Sequence, residues 1–202
     1  MHYCQSCDDP VLMEPYGAVA RCPRCGQLDE TGARMPLFIV TGASGAGKTS
    51  VFGPLARLLA GTALAFDVDV LLDSAGMLSG DRPISWPGFR DAWLSVAHGI
   101  AQNGLPTVLL GPFIPEHLEQ LPARRWVGEL NFLVLDCSDE LRHQRVAARP
   151  PWRDGDFGPQ DDFARWLREN IAYRVDTGLG TPADTAREVF TWVTGSLGRG
   201  RR

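Results

Sequence analysis

Short apolar runs of four to eight residues alternate along the chain with longer segments in which apolar residues recur every three or four positions. The short runs predict buried β-strands, and the periodic segments predict amphipathic helices. Strands that alternate with helices in this way indicate an α/β fold, here a five-stranded parallel sheet with helices on both faces. The predicted strands cover residues 37–40, 63–66, 107–110, 132–137 and 173–177, and the predicted helices cover residues 48–60, 88–102, 139–149, 161–173 and 182–197.

The start of the chain has a different composition. Residues 1–35 hold four of the five cysteines and little that could make a core. A segment of this length cannot be stabilised by apolar burial alone, so it needs a metal ion or cross-links. We therefore predict two domains, a small cysteine-rich module over residues 1–35 and an α/β domain over residues 36–202.

Length and charge exclude several classes of protein. The chain has 202 residues, of which 44% are hydrophobic and 22% charged, and its formal net charge is −4. Such a chain can form one full core. Its negative charge argues against a large surface for nucleic acid or anionic lipid. No apolar run approaches the roughly 20 residues of a membrane helix, and the N-terminus lacks the pattern of a signal peptide. We expect a cytoplasmic protein that contacts neither membranes nor nucleic acid.

The cysteine spacing Cys4-x₂-Cys7-x₁₄-Cys22-x₂-Cys25 is close to that of a zinc ribbon. Each C-x-x-C turn directs two thiolates at one ion, so two turns complete a closed, structural site. Zinc would then supply the free energy of folding that the module lacks. The alternative is a redox-active or disulfide-bonded pair, which a reducing compartment disfavours. The module has three arginines against five acidic residues, so we expect a packing or oligomerisation role, with a homo-oligomer as one outcome.

The sequence GASGAGKT at residues 42–49 satisfies G-x-x-x-x-G-K-[ST] and contains the only lysine of the chain. A predicted strand precedes it and a predicted helix follows it, which is the arrangement that directs backbone N–H groups at phosphate oxygens. Lys48 would reach the β and γ phosphates, and the Thr49 hydroxyl would hold Mg²⁺. The alternative is a glycine-rich turn with an exposed lysine. The predicted nucleotide-binding residues are Gly42, Ala43, Ser44, Gly45, Ala46, Gly47, Lys48, Thr49 and Ser50.

Other motifs narrow the class of P-loop protein. A GTPase needs N-K-x-D for guanine, and the single lysine of this chain is already in the glycine-rich loop. The predicted third strand ends in VLLGPF and not in the Asp-Glu pair of molecular motors. The second ends in FDVDVLL, where Asp67 and Asp69 are two residues apart and face the same side of an extended chain. They lie at the carboxyl end of a strand, where open α/β sheets bind ligands. Small kinases are the class that is left.

At these residues the chain resembles the small P-loop kinases of the shikimate kinase, gluconate kinase, chloramphenicol phosphotransferase and nucleoside or nucleotide kinase group. The resemblance covers residues 36–197 and is carried by GASGAGKT, by the DVD after the second strand, and by LDCSDELRHQRVAARPPWR. It implies a P-loop NTPase fold, the cofactors ATP and Mg²⁺, and phosphoryl transfer to a small hydroxylated acceptor.

The resemblance also implies roles for individual residues. Asp67 or Asp69 would accept the proton of the acceptor hydroxyl, with Asp67 slightly favoured, and the other would support Mg²⁺ or a second hydroxyl. A lid over residues 149–162 would close on the site, and the turn at residues 176–182 would lie against adenine. Arginines at the lid would stabilise the charge of the transferring phosphoryl group, the alternative being a solvated helix face. These arginines are Arg145, Arg149 and Arg153.

The sequence does not identify the acceptor. We expect a nucleoside or nucleotide ahead of a sugar acid or an antibiotic. Residues 74–98 occupy the region that covers the acceptor in similar kinases. An arginine there would hold an anionic group and an aromatic residue would stack on a base, or the aromatic residues would simply be core. The candidates are Arg82, Trp86, Phe89, Arg90 and Trp93.

Two alternative functions stay open at this point. One is a nucleotide-binding regulatory module whose ribbon contacts a protein partner, and the other is a kinase for the 5′-hydroxyl of RNA or DNA, which the net charge disfavours. Asp136 ends the predicted fourth strand and formally resembles a Walker B aspartate. In the kinases of this group the strand beside the P-loop strand is the third in sequence, so we interpret Asp136 as a strand-end residue.

Overall fold

The computed structural model describes residues 2–4, 6–11, 13–17, 19–29, 34–74, 85–149 and 157–199. The N-terminal module consists of five short strands in two antiparallel sheets. The first sheet pairs β1 with β2, and the second has the order β3-β4-β5. The strands are β1 (His2–Cys4), β2 (Asp9–Val11), β3 (Glu14–Tyr16), β4 (Val19–Arg21) and β5 (Leu28–Asp29).

The larger domain is an α/β fold with one five-stranded parallel sheet. Its elements are β6 (Leu37–Thr41), α1 (Lys48–Leu58), β7 (Leu64–Asp67), α2 (Asp69–Ser74), α3 (Trp86–Ala101), β8 (Thr107–Leu110), β9 (Leu130–Asp136), α4 (Asp139–Ala147), α5 (Phe157–Asn170), β10 (Arg174–Asp176) and α6 (Pro182–Arg199). The strand order is β10-β9-β6-β8-β7, and every neighbouring pair is parallel. The predicted fold class and the number of strands are confirmed.

Helices cover both faces of this sheet, as β6 illustrates. All five of its residues are buried. Phe38 and Val40 point to one side, where they pack with apolar residues of α1 and α6. Leu37 and Ile39 point to the other side, where α3 covers them. Because successive side chains of a strand face opposite sides, a strand buried on both faces is apolar throughout.

The helices differ from the predicted ones in detail. Helix α2 was not predicted, and α5 begins four residues earlier than expected, at Phe157. The apolar side chains of Leu58 and Val96 lie within the predicted helices, and they are 40% and 36% exposed. In α3 the buried stripe contains Phe89, Trp93 and Leu94, and Val96 lies just outside its edge. In the described segments no helix is both long and apolar enough to cross a bilayer.

The small module packs on the larger domain through one tryptophan. Trp126 ends a 3₁₀ turn at Pro122–Trp126, and it belongs to the same cluster as the buried side chains of Val11, Met13 and Ala20. On its other side the indole lies against His98 of α3, with 5.1 Å between the ring centroids. Trp126 therefore connects the module to α3. The N-terminal end of α3 lies at the carboxyl edge of the sheet.

Candidate active site

A cleft of about 670 Å³ opens at the carboxyl ends of the parallel strands. One wall is the loop between β6 and α1, which contains the GASGAGKT sequence. The segment that follows β10 and the end of α4 form the opposite side. Strand β6 lies between β8 and β9, and the chain connections on its two sides run in opposite directions along the sheet. A crevice forms at such a point. Lining residues outside the loop include Asp69, Pro112, Arg145, Arg149, Gln160 and Thr177.

The loop adopts a conformation that requires glycine at two positions. Gly45 and Gly47 have φ angles of +85° and +96°, which non-glycine residues adopt rarely. A Cβ atom on Gly45 would also lie 2.6 Å from the carbonyl oxygen of Arg142 in α4. The loop is thus pressed against α4, and the glycines let the backbone turn back towards the cleft.

The N-terminus of α1 is suited to bind an anion. Its N-cap is Gly47, which has no side chain to accept a hydrogen bond from the N–H groups of the first turn. Those N–H groups have no partner within the helix and carry the positive end of the helix dipole. The side chains of Ala43 and Ala46 are buried, and the Ala46 N–H donates to the Ala43 carbonyl at 3.2 Å. These two residues therefore shape the loop from within it.

Lys48 is held against the loop that precedes it. Its Nζ donates to the carbonyl oxygens of Gly42 and of Ala43, the latter at 3.1 Å. Burial lowers the pKa of Lys48 to about 8, the negative charges of Asp69 and Asp67 oppose that shift, and the positive charge of Arg149 adds to it. The site thus holds an ammonium group that gains stabilisation when phosphate oxygens replace the carbonyl contacts.

The lowered pKa of Lys48 predicts that nucleotide affinity depends on pH. Below its pKa of about 8 the ammonium is charged, and above it the free protein must take up a proton before the lysine can pair with phosphate. We expect the affinity for a magnesium complex of a non-hydrolysable ATP analogue to be nearly constant from about pH 7 to 7.5 and about tenfold weaker at pH 9. Isothermal titration calorimetry measures this directly. The Lys48→Arg variant is the control, since a guanidinium stays charged throughout, and an equal slope in both proteins would contradict the assignment.

Asp67 at the end of β7 and Asp69 at the start of α2 differ in their position relative to the cleft. Asp69 lines the cleft, whereas Asp67 is absent from its wall. One carboxylate oxygen of Asp67 accepts a hydrogen bond from the Asp69 backbone N–H at 3.2 Å, which is a turn that an aspartate commonly stabilises. Asp69 also acts more strongly than Asp67 on the pKa of Lys48. The geometry therefore favours Asp69 over Asp67 as the residue that faces an acceptor.

The three arginines predicted at the lid also differ in their positions and contacts. Arg145 is engaged in four hydrogen bonds: Nη1 donates to Thr177 Oγ1 at 2.8 Å, to the Gly45 carbonyl at 3.3 Å and to Cys137 Sγ at 3.5 Å, and Nη2 donates to the Thr177 carbonyl at 2.8 Å. It connects the P-loop to the turn after β10. Arg149 lines the cleft and affects the charge of Lys48. Arg153 lies outside the described residues.

Asp136 ends β9 and pairs with a cation outside the cleft. Arg168 of α5 donates from Nε to Asp136 Oδ2 at 2.8 Å and from Nη2 to Oδ1 at 3.0 Å, a bidentate pair. Strand β6 has two neighbours, β8, which is third in sequence within the domain, and β9, which ends in Asp136. The pair with Arg168 agrees with the interpretation of Asp136 as a strand-end residue, here with a role in holding α5 against β9.

The predicted acceptor region is partly core. Phe89 and Trp93 are buried, while Trp86 is 48% exposed and contacts the edge of Phe89. Arg90 is half-buried, and its Nε has no hydrogen-bond partner among the residues that the structure describes. Burial lowers the pKa of nearby His117, and the positive charge of Arg90 lowers it further. Arg82 is not among the described residues.

Sequence reasoning missed Gln160 as a residue of the cleft. It lies near the start of α5, and its side-chain oxygen accepts a hydrogen bond from the Ser44 N–H of the P-loop at 2.9 Å. The local sequence there, DGDFGPQDD, indicated only a polar and turn-rich segment. A single glutamine within such a segment gives no signal of the contact, because it depends on the distance between α5 and the loop.

The four cysteines of the N-terminal module converge at one point. Their sulfur atoms lie within 4.8 Å of one another, Cys4 and Cys25 at 3.7 Å and Cys7 and Cys22 at 3.7 Å, and none forms a disulfide. A tetrahedral zinc site with bonds of about 2.3 Å has sulfur–sulfur edges of about 3.8 Å. The separations fit such a site and are far longer than the roughly 2 Å of a disulfide.

Backbone donors in the second C-x-x-C turn favour a thiolate. The backbone N–H of Cys25, and after it that of Arg24, lower the pKa of Cys22 to about 7. The neighbouring Cys25 thiol contributes most to raising the pKa of Cys7, to about 12, because adjacent sulfurs compete for negative charge. A divalent cation at the centre would relieve this competition, as it does for clustered thiolates in general.

Together, the strand order, the glycine-rich loop and the cleft define the fold of the small P-loop kinases, as the motifs predicted. Solved structures agree. A shikimate kinase from Acinetobacter baumannii is 19% identical, with a TM-score of 0.51 over 80% of this chain and 93% of that chain. A sugar kinase from Janibacter sp. is 19% identical, with a TM-score of 0.54 over 80% and 94%. A gluconokinase from Sinorhizobium meliloti is 21% identical, with a TM-score of 0.51 over 83% and 98%.

These structures share the fold of this chain, but they are not close relatives of it in sequence. No protein-family model and no curated protein matches the chain. The solved structures are covered almost completely, whereas about a fifth of this chain has no counterpart in them. At identities near 20%, the activity has to be argued from the site itself.

Proposed function

We propose that this protein is an ATP- and Mg²⁺-dependent kinase that phosphorylates a hydroxyl group of a small acceptor. The observation that carries the proposal is one cleft lined by Lys48, by the free N-terminus of α1, by Asp69 and by Arg149. These groups supply what phosphoryl transfer requires, namely donors for the phosphates and a carboxylate for the hydroxyl proton. The similarity in fold to solved kinases supports the same class of reaction.

In the proposed reaction, Asp69 accepts the proton of the acceptor hydroxyl. The oxygen then forms a bond to the terminal phosphorus, the bond from that phosphorus to the bridging oxygen breaks, and ADP leaves with the electron pair. Lys48 and the amides of the loop neutralise the charge that develops on the phosphates. Arg149, at the end of α4, lies where a cation can stabilise the transferring group.

The residues present fit a magnesium ion. Thr49 and Asp69 line the cleft, and Asp67, which lies outside its wall, is near enough for its charge to act on Lys48. Hydroxyl and carboxylate oxygens are ligands that Mg²⁺ prefers. We propose that Thr49 and Asp67 hold the ion directly or through water. Magnesium would neutralise the phosphate oxygens and orient them for transfer. Arg145 has a positioning role, since it joins Gly45 to Thr177 and so fixes the width of the cleft.

The acceptor proposed from the sequence, a nucleoside or nucleotide, stays a proposal. The similar structures include shikimate, sugar and gluconate kinases, so they support a small hydroxylated acceptor without choosing among classes. Arg90 favours an acceptor with an anionic group. It lies near the N-terminal end of α3, at the same edge of the sheet as Asp69, and its buried Nε has no partner within residues 34–74, 85–149 and 157–199. An anionic group would favour a nucleotide over a nucleoside.

An acceptor-stimulated assay tests the function. ADP release is measured with ATP, Mg²⁺ and a panel of nucleosides, nucleotides, sugar acids and aminoglycoside-type antibiotics. We expect at least one acceptor to raise the rate, and the Lys48→Met variant to lose about 10²-fold or more of that stimulated rate because the phosphates lose their cation. Nucleotide binding without stimulation by any acceptor would contradict the kinase proposal and favour the regulatory alternative.

We also propose that the four cysteines bind one structural zinc ion. Their sulfur separations support this, and the buried contact with Trp126 gives the module a packing role within its own chain. The cytoplasmic location and a homo-oligomer stay predictions from the sequence.

A further inference from the structure

Gln160 occupies a position in the cleft that neither the sequence nor the proposed reaction explains. It is a neutral side chain on α5 that contacts the P-loop 116 residues away, through the hydrogen bond from Ser44 N to its Oε1 at 2.9 Å. It also lines the cleft together with Lys48. The contact is therefore part of the proposed nucleotide site, and any role of Gln160 towards a nucleotide rests on the proposed function.

The chemistry of the hydrogen bond fixes how the carboxamide is oriented. A backbone N–H can only donate, so the group of Gln160 that faces Ser44 must be the oxygen. The NH₂ group, with two donors, is then on the other side of the carboxamide carbon, in a side chain that borders the cleft. The side chain has one acceptor for the loop and two donors for a ligand.

Neighbouring contacts keep Gln160 in place. The adjacent Asp161 accepts a hydrogen bond from Arg142 Nη2, and Arg142 is completely buried in α4. Arg142 in turn lies directly beneath Gly45, whose missing side chain makes room for its carbonyl oxygen. The start of α5, the first half of α4 and the P-loop are thus connected through Arg142, and Gln160 extends from the start of α5.

Charge explains why this position suits a glutamine. A triphosphate brings several negative charges into the cleft, and an aspartate or glutamate next to Ser44 would repel them. A glutamine keeps the acceptor that Ser44 needs and adds donors without negative charge. Hydrogen bonds from neutral donors to ionised acceptors are stronger than those between neutral groups, so an NH₂ group near phosphate is favourable.

We propose that Gln160 is a nucleotide-contact residue that bridges the P-loop and the bound nucleotide. Its oxygen holds the Ser44 N–H in position, and its NH₂ group donates to a phosphate oxygen of ATP. Helix α5, whose first residues fall within the predicted lid of residues 149–162, therefore takes part directly in nucleotide binding. Gln160 and Lys48 together orient the phosphates.

Two substitutions separate this role from simpler ones. The Gln160→Ala variant loses both the acceptor and the donors, while Gln160→Glu keeps an acceptor for Ser44 and loses the donors. Gln144 is the matched control, a glutamine on the exposed side of α4 that does not line the cleft. The probe is a non-hydrolysable ATP analogue with Mg²⁺, titrated into the full-length chain by calorimetry, with thermal unfolding recorded for every variant.

We expect Gln160→Ala to weaken binding of the analogue about tenfold, as for the loss of a hydrogen bond to a charged group. Gln160→Glu should weaken it further, because a carboxylate replaces the donors, while its thermal midpoint stays at the wild-type value. Gln144→Ala and Gln144→Glu should bind as wild type does.

Tighter binding by Gln160→Ala would overturn the proposal, since the side chain would then merely block the amide until a nucleotide displaces it. Wild-type affinity in Gln160→Glu would also overturn it, because an oxygen that accepts from Ser44 would then be sufficient for nucleotide binding without the NH₂ donors. Folded wild-type protein that binds no analogue would instead overturn the proposed function itself. Normal binding by the wild type together with unchanged binding by both Gln160 variants would overturn the Gln160 proposal alone.

Discussion

The Asp69→Asn variant is expected to lose about 10²- to 10⁴-fold of acceptor-dependent turnover, the range measured when a general base is removed. Asparagine has nearly the same shape, but it cannot take the proton of the acceptor hydroxyl. Nucleotide affinity should stay the same or rise slightly, because Asp69 faces a cleft that receives phosphate and its negative charge opposes it. The stimulated rate of ADP release and the dissociation constant of the ATP analogue measure these two effects separately.

Two matched variants show whether the effect belongs to the position of Asp69. Asp67→Asn should lower turnover less and raise the magnesium concentration needed for half-maximal rate, because Asp67 is proposed to support the ion. Asp162→Asn should change neither quantity, since Asp162 is an exposed residue of α5 that pairs with Arg165. A larger loss in Asp67→Asn than in Asp69→Asn would reverse the two roles and restore the order favoured by the sequence.

Loss of the zinc site is expected to unfold the N-terminal module and to loosen the helix behind it. The purified chain should contain about one zinc ion, and the Cys22→Ser variant none, because three thiolates do not close a tetrahedral structural site. Trp126 would then lose the cover of Val11 and Met13 on one side while it still contacts His98 on the other. We expect the free energy of unfolding of the larger domain to fall by about 1–3 kcal/mol.

Hydrogen exchange and metal analysis test this prediction. Exchange should accelerate in the module, in the turn at Pro122–Trp126 and in α3, while the P-loop, which belongs to a different part of the core, keeps its protection. Cys137→Ser is the control for replacing a buried cysteine, and it should retain the zinc. Unchanged exchange in α3 after complete loss of zinc would show that the module and the larger domain are energetically independent.

Local sequence patterns predicted the features that short segments encode. The strand β6 is apolar from Leu37 to Val40 because both of its faces are buried, and the loop after it is identified by residues within eight positions of one another. The cysteine pairs likewise predicted a common site because each pair lies within one tight turn. Such features depend on backbone geometry over a few residues, which the sequence determines directly.

Boundaries and roles that depend on packing were predicted less well. The six-residue helix α2 has too few residues for a clear period, and α5 begins earlier than its apolar pattern indicates. The role predicted for Arg145 at the transition state stays a prediction, and the sequence did not indicate its hydrogen bonds to Gly45 and Thr177, which are far apart in sequence. Spacing along a helix shows which residues share a face, but it does not show what that face contacts.

The sequence by itself determined an α/β fold, a P-loop motif at one strand end, an acidic pair at the next and a four-cysteine cluster, since each depends on residues that are close together along the chain. Only the tertiary structure decided that Asp69 faces the cleft, that Asp136 pairs with Arg168, and that Gln160 contacts Ser44. These contacts depend on where separate elements meet in space. The packing of the whole core sets the positions of α4 and α5 against the sheet.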